Sequence, residues 1–172
     1  MQAETLTSER LTVAPLVPDN AEELAEVLAD ASLYEFTGGE PPDAAQLRGR
    51  YERVTAGSGR AGEIWLNWVV RRRTDDRPVG TVQATVVERH GARTAWVAWV
   101  IGVPWQKQGF ATEAARLVVS WLSEQGVDEV LAAVHPDHLA SERVAGNAGL
   151  SPTDEVVEGE RVWRLPLARS RE

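Results

Sequence analysis

The chain has no cysteine, one methionine, and a single lysine among its 18 basic residues. Without cysteine there are no disulfides, no thiolate-bound metals and no cysteine nucleophile. Long apolar runs are missing too, and none approaches the roughly 20 residues that a helix needs to cross a bilayer. The amino-terminal stretch, "MQAETLTSERLTV", lacks the apolar core of a secretion signal. Positive charge is short: 26 acidic residues against 18 basic ones give a formal net charge of −8. A general nucleic-acid surface needs clustered cations to displace counterions, so that class is disfavoured. The acidity suits a cationic substrate, but it is also the ordinary state of many soluble proteins. A cytoplasmic protein with no membrane span and no nucleic-acid partner is the expectation.

What is present is a globular composition, 43% hydrophobic and 26% charged over 172 residues, enough for one domain, 1–172, with a sizeable core. "RLTVAPLV" (Arg10 to Val17) reads as a strand. "PDNAEELAEVLAD" opens with a helix-initiating Pro-Asp-Asn and puts Leu24, Val27 and Leu28 on one face. "TGGEPPD" is a turn cluster, followed by a polar helix over Ala44 to Val54. "EIWLNWVVRRR" alternates as a strand, with Ile64, Leu66 and Trp68 on one side. "RPVG" reads as a turn into the strand Thr81 to Arg89, and "HGAR" as a hairpin loop into "TAWVAWVIGV". From Gly109 the period becomes helical, with Ala111, Ala114, Ala115, Val118, Trp121 and Leu122 in one stripe. "GVDEVLAAVH" gives a turn and a buried strand, and "LASERVAGNAGL" a short helix stopped at Gly149. Two last strands, around "DEVVE" and "RVWRLPL", meet at Gly159. The order β-α-α-β-β-β-α-β-α-β-β, without linker or repeat, makes an α/β domain with a mixed sheet.

The stretch "VPWQKQGFATEA" joins a long strand to an amphipathic helix. A helix start leaves N–H groups unpaired and carries partial positive charge, so it suits an anion. Gly109 lets a ligand approach the backbone, and the small Ala111 keeps the next turn open. Neither a G-x-x-x-x-G-K-[ST] loop nor a G-x-G-x-x-G loop is present. Gln106-Lys107-Gln108-Gly109-Phe110-Ala111 matches Q/R-x-x-G-x-G/A instead. A solvated lysine at a helix start is common, so Lys107 alone decides nothing.

With that motif between "AWVAWVIGVPW" and "ATEAARLVVSWL", and with "HPDHLASERVAGNAGL" after the next strand, the sequence resembles the GNAT superfamily of N-acetyltransferases. The last segment is similar to the N-x-x-S…G-F/L ending of the branch that holds ribosomal-protein N-terminal acetyltransferases. The likeness covers nearly the whole chain in element order, and its specific part runs from Thr94 to Leu150. It implies a mixed, mostly antiparallel sheet flanked by helices, with a V-shaped splay between the fourth and fifth strands. It also implies acetyl-CoA as acyl donor and an amine acceptor, in a monomer or homodimer. By that resemblance, Trp99, Val100 and Ile101 border the pantetheine arm. The turn from Gln106 through Gly109 to Phe110, Ala111 and Thr112 then faces the pyrophosphate, with Lys107 and Gln108 inside it. His138 stands where the family commonly has a cofactor-binding asparagine.

Many members use a glutamate on the fourth strand as base and a tyrosine after the fifth as acid. The matching positions here are Trp96 and Ala145, so the usual pair is missing. Ser141, matching the serine of N-x-x-S, is the candidate acid, acting by positioned hydrogen bonding. A helix cap is the competing reading of the same serine. Glu35, Glu40, Glu88 and His135 are the open choices for a base. His135 and His138 lack a third ligand, and no metal is expected. "LYEFTGGEPP" lies where the family shapes its acceptor pocket, so Tyr34, Glu35, Phe36 and Glu40 are the candidate acceptor contacts. Trp65, Trp68, Trp96, Trp99 and Trp121 read as core; Trp105 and Trp163 are candidates for the pocket border. Two classes follow: an N-acetyltransferase acting on a small amine or protein N-terminus, or a catalytically silent acyl-CoA-binding homologue that senses or scaffolds.

Overall fold

A computed structural model describes residues 1–167; the remaining residues of the expected domain, 168–172, lie outside the described part. One eight-stranded sheet runs in the order β1-β2-β3-β4-β5-β6-β8-β7. Its strands are β1 (Leu6–Thr7), β2 (Leu11–Pro15), β3 (Glu63–Arg72), β4 (Arg77–Arg89), β5 (Ala92–Ile101), β6 (Glu129–Val134), β7 (Ser151–Val157) and β8 (Glu160–Pro166). The helices are α1 (Ala21–Val27), α2 (Ala44–Ala56), α3 (Phe110–Glu124) and α4 (Leu139–Asn147).

The two-residue β1 is one element more than the sequence order predicts, so the expected fourth and fifth strands are β5 and β6. These two form the sheet's parallel pair, and the other neighbours are antiparallel. They are in register at Thr94↔Glu129, Ala95↔Val130 and Trp96↔Leu131, and there the pairing stops. Beyond that point β5 pairs with β4 as far as Ile101, and β6 pairs with β8 as far as Val134. The expected V-shaped splay is this divergence.

Alternation decides the layers. Leu66, Trp68, Val70, Val82, Ala84, Val86, Ala95 and Val97 join the apolar stripe of α3 and the buried side of α4 in one core. Within it Trp68 and Trp121 meet edge-to-face, ring centroids 5.6 Å apart. On the opposite sheet face Val69 packs with Leu24, Val27, Leu47 and Tyr51 of α1 and α2. The helix α4 ends in a Schellman arrangement, with Leu150 N–H donating to the Ala145 carbonyl and Gly149 N–H to that of Gly146. Gly149 supplies the positive φ of 99° that this stop requires.

One turn differs from the sequence reading. "RPVG" is the start of β4, and the reversal lies just before it, at Arg73–Asp76. Pro78 is tolerated there because the β4–β5 ladder begins only at Gly80↔Ile101, so its missing N–H breaks no bond on that side.

Candidate functional site

The divergence of β5 from β6 opens a cleft of about 1230 Å³. Its walls divide into a backbone half and a side-chain half. In the first, Trp99, Val100 and Ile101 line the cleft from the unpaired edge of β5. Below them a single turn of 3-10 helix, Val103–Trp105, leads into the Gln106–Gly109 loop. Trp105, Gln106, Lys107, Gly109, Phe110, Ala111 and Thr112 all line the cleft. Gln108 does not: its side chain turns to the Pro104 carbonyl at 3.4 Å.

The loop geometry suits an anion. Gly109 is the N-cap of α3 at φ 81°, a left-handed conformation that glycine adopts without penalty. Lys107 is also left-handed, at φ 61°, at a cost of about 1 kcal/mol for a residue with a Cβ. Among the described residues, the N–H groups of Lys107, Gln108 and Gly109 have no hydrogen-bond partner. Phe110, Ala111 and Thr112 add the free N–H groups of a helix's first turn. The turn therefore carries a continuous run of unpaired donors from Lys107 to Thr112.

Arg10, just before β2, closes on this loop and was missed in the sequence. Its Nε and Nη2 reach Glu113 Oε2 at 2.7 and 2.6 Å, and Nη1 donates to the Gln108 carbonyl at 2.8 Å. Burial raises the Glu113 pKa, but hydrogen bonds from Ser8 and Arg10, together with the Arg10 charge, outweigh it and leave the carboxyl below its ordinary range. No local signal marks this contact, since its partners are about a hundred residues apart in sequence.

Across the V, Trp99 Nε1 donates to Ser141 Oγ at 3.0 Å. This contact ties β5 to α4 and removes Trp99 from the set of purely packed tryptophans. Ser141 is not the helix cap. His138 holds that position, and its Nδ1 accepts the Ser141 N–H at 3.4 Å. The Ser141 hydroxyl is left with a proton to donate, because its oxygen already accepts from the indole. Burial pushes the His138 imidazole below the ordinary histidine range, while Glu35 and Glu160 hold it up and His135 pushes it further down. The imidazole is therefore neutral at neutral pH, with Nε2 carrying its proton opposite the capping nitrogen.

The side-chain half lies under the loop before α2. Tyr34, Glu35 and Phe36 line the cleft, whereas Glu40 is exposed and outside its walls. Tyr34 fixes the loop by donating from its hydroxyl to the Leu28 carbonyl at 3.0 Å. Phe36 stacks on His138 with centroids 4.5 Å apart and leans on His135 at 5.1 Å. The two histidines thus hold the Phe36 ring in place. Of the four candidate bases, Glu35 and His135 line the cleft, while Glu88 pairs with Arg93 at 2.8 Å near the far hairpin. Trp96 and Trp163 do not line it. Ala145 is fully buried in the core. Asn67 and Gln83 are cross-strand partners in the cleft wall. A polar residue facing each apolar alternation was the signal that could have found them.

Comparisons with known proteins bear on the family and the fold. Residues 10–151 match the family model described as "Acetyltransferase (GNAT) domain". A 77-residue segment is 35% identical to the Bacillus subtilis protein named "Probable N-acetyltransferase YjcK", covering 44% of this chain and 42% of that one. The matched segment is thus under half the length of that relative. RimL, a ribosomal alpha-N-protein acetyltransferase solved in complex with coenzyme A, superposes with a TM-score of 0.78 at 11% identity, over 95% of this chain and 98% of its own. An aminoglycoside acetyltransferase, also solved with coenzyme A, gives 0.74 at 16%, over 91% and 94%. At such identities the likeness is one of fold.

Proposed function

Because the chain belongs to the GNAT acetyltransferase family, we propose that it transfers an acetyl group from acetyl-CoA to a primary amine by direct attack on the thioester. The observation that carries this reading is the free β5 edge beyond Trp96, which leads straight into the unpaired N–H groups of the Lys107–Thr112 turn. An unpaired strand edge can pair with the amides of an extended arm as an added strand would. The turn's donors and the α3 dipole suit a pyrophosphate, and Lys107 adds a mobile cation. The residues present therefore fit acetyl-CoA, whose thioester would supply the acetyl group in activated form and release coenzyme A as the thiol.

The rest of the work falls to side chains. The acceptor must be held as a neutral amine, and Glu35 and His135 are the proton acceptors on that side of the cleft. Ser141 is the donor for the departing sulfur: Trp99 engages its oxygen, and its O–H remains available. His138, neutral and fixed by its capping bond, offers Nε2–H as the cofactor contact that an asparagine makes elsewhere in the family. The acceptor is a small molecule or a protein N-terminus, the two kinds named for the aminoglycoside enzyme and RimL.

A silent acyl-CoA-binding role is the second reading, favoured by Trp96 and Ala145 at the usual acid–base positions. Thiol release from acetyl-CoA across a panel of amines and peptides separates the two. Turnover on at least one acceptor supports transfer; tight coenzyme A binding with no turnover on any of them overturns it.

A further inference from the structure

Arg10 uses its whole guanidinium fork at the turn. Two nitrogens grip Glu113, and a third holds the Gln108 carbonyl at 2.8 Å. Its Cζ lies over the Phe110 ring, 4.6 Å from the centroid. Glu113 is fixed in turn by the Arg10 backbone N–H at 3.1 Å and the Ser8 hydroxyl at 2.6 Å. A Cβ at Gly109 would sit 3.3 Å from Arg10 Nη2, so the guanidinium presses directly on the loop.

In a trans peptide the C=O and the following N–H point in opposite directions. Holding the Gln108 carbonyl on Arg10 therefore commits the Gly109 N–H to the other side. If that peptide flipped, a carbonyl oxygen would replace an N–H donor in the run that faces the anion. Gly109 offers little resistance to a flip, because glycine tolerates both signs of φ. The constraint has to come from outside the loop, and the Arg10 fork supplies it. We infer that Arg10 is a positioning residue that locks the phosphate-facing peptide of the turn, without itself being required as a ligand. This rests on the reading of the turn as the coenzyme A phosphate site.

The test is calorimetric titration of coenzyme A into the full chain and three variants, with the melting temperature taken on each preparation. Arg10→Ala removes fork and charge. Arg10→Lys keeps the charge and loses the fork. Arg72→Ala is the control: it changes net charge equally, but its partner Asp75, 2.6 Å away, sits in the β3–β4 turn outside the cleft. Loss of one charge-assisted hydrogen bond should weaken coenzyme A binding about tenfold in both Arg10 variants and leave Arg72→Ala unchanged. Arg10→Lys binding like the wild type overturns the inference, since charge alone would then suffice. An equal loss in Arg72→Ala also overturns it, by pointing to the general field. Should Arg10→Ala fail to fold, Arg10→Lys and the control decide the matter. A wild-type chain that binds no coenzyme A refutes the cofactor reading itself, an outcome distinct from failure of the Arg10 variants to differ.

Discussion

At one end of the cleft the Lys107–Thr112 turn presents backbone donors braced by Arg10 and Glu113; at the other, the loop carrying Tyr34, Glu35 and Phe36 leans on two histidine rings. The first end is built from main-chain groups, which every sequence possesses and only the conformation has to arrange. The second depends on which side chains happen to stand there. Backbone recognition suits a partner that stays the same, such as a cofactor. Side-chain recognition can be changed by single substitutions and suits the partner that varies.

The largest expected effect breaks the comparison at its midpoint, where Trp99 reaches Ser141. Ser141→Ala should lower kcat by roughly ten- to a thousandfold with little change in coenzyme A affinity. The stability loss should be limited to about 1 kcal/mol for the Trp99 indole left without its acceptor, because His138 and not Ser141 caps α4. Stopped turnover assays and thermal melts on one preparation check both halves of the statement. Normal turnover would send the search for the acid to His138 or to an ordered water.

Next comes the backbone end. Gly109→Val puts a β-branched residue at φ 81° and a Cβ against Arg10, so coenzyme A should bind about tenfold more weakly or worse. Calorimetry on folded variant protein tests this, and unchanged affinity removes the turn from the cofactor site.

At the side-chain end, Phe36→Ala removes the stacking on both histidines. The KM of an acceptor should rise about three- to tenfold while coenzyme A affinity stays put. A matching loss of coenzyme A affinity would mean that the two halves are not separable.

The smallest effect concerns pH. Burial holds the folded His138 below its unfolded value of 6.5, so the unfolded chain takes up the proton first as pH falls. Stability should therefore decline from about pH 6.5 downward, through the depressed folded value. His138→Asn keeps a capping side chain but no titrating ring, and its melting temperature should fall less between pH 7 and about pH 5.5. Equal slopes for the two proteins would assign the acid sensitivity elsewhere.

The contrast also explains what could be read without coordinates. The β5–turn–α3 passage was legible because alternation, glycine and a helical stripe are local patterns over consecutive residues. So was the α4 stop at Gly149. Arg10 was not legible, because its partners Gln108 and Glu113 lie about a hundred residues along the chain and Arg-Leu-Thr looks like any strand start. The capping role of His138 was missed because the usual capping residues are small and oxygen-bearing, which drew the eye to Ser141. Glu40 and Glu88 could not be separated from Glu35 by composition. Only the path of the loop and the pairing of Glu88 with Arg93 tell them apart.

The short parallel contact between β5 and β6 has a mechanical consequence. Among the described residues, three register pairs at Thr94, Ala95 and Trp96, extended by the Asp128 N–H donating to the Arg93 carbonyl at 2.9 Å, make the main-chain connection between β1–β5 and the β6-β8-β7 unit. Amide hydrogen exchange should show the second unit opening as a body, with protection set by its packing on α3 and α4 rather than by the ladder. A ligand lying in the gap would touch both bodies at once. Its binding should slow exchange in β6, whose Ala132, Ala133 and Val134 line the cleft, and also in β8, which lines it only at Glu160 and so reports occupancy from a distance.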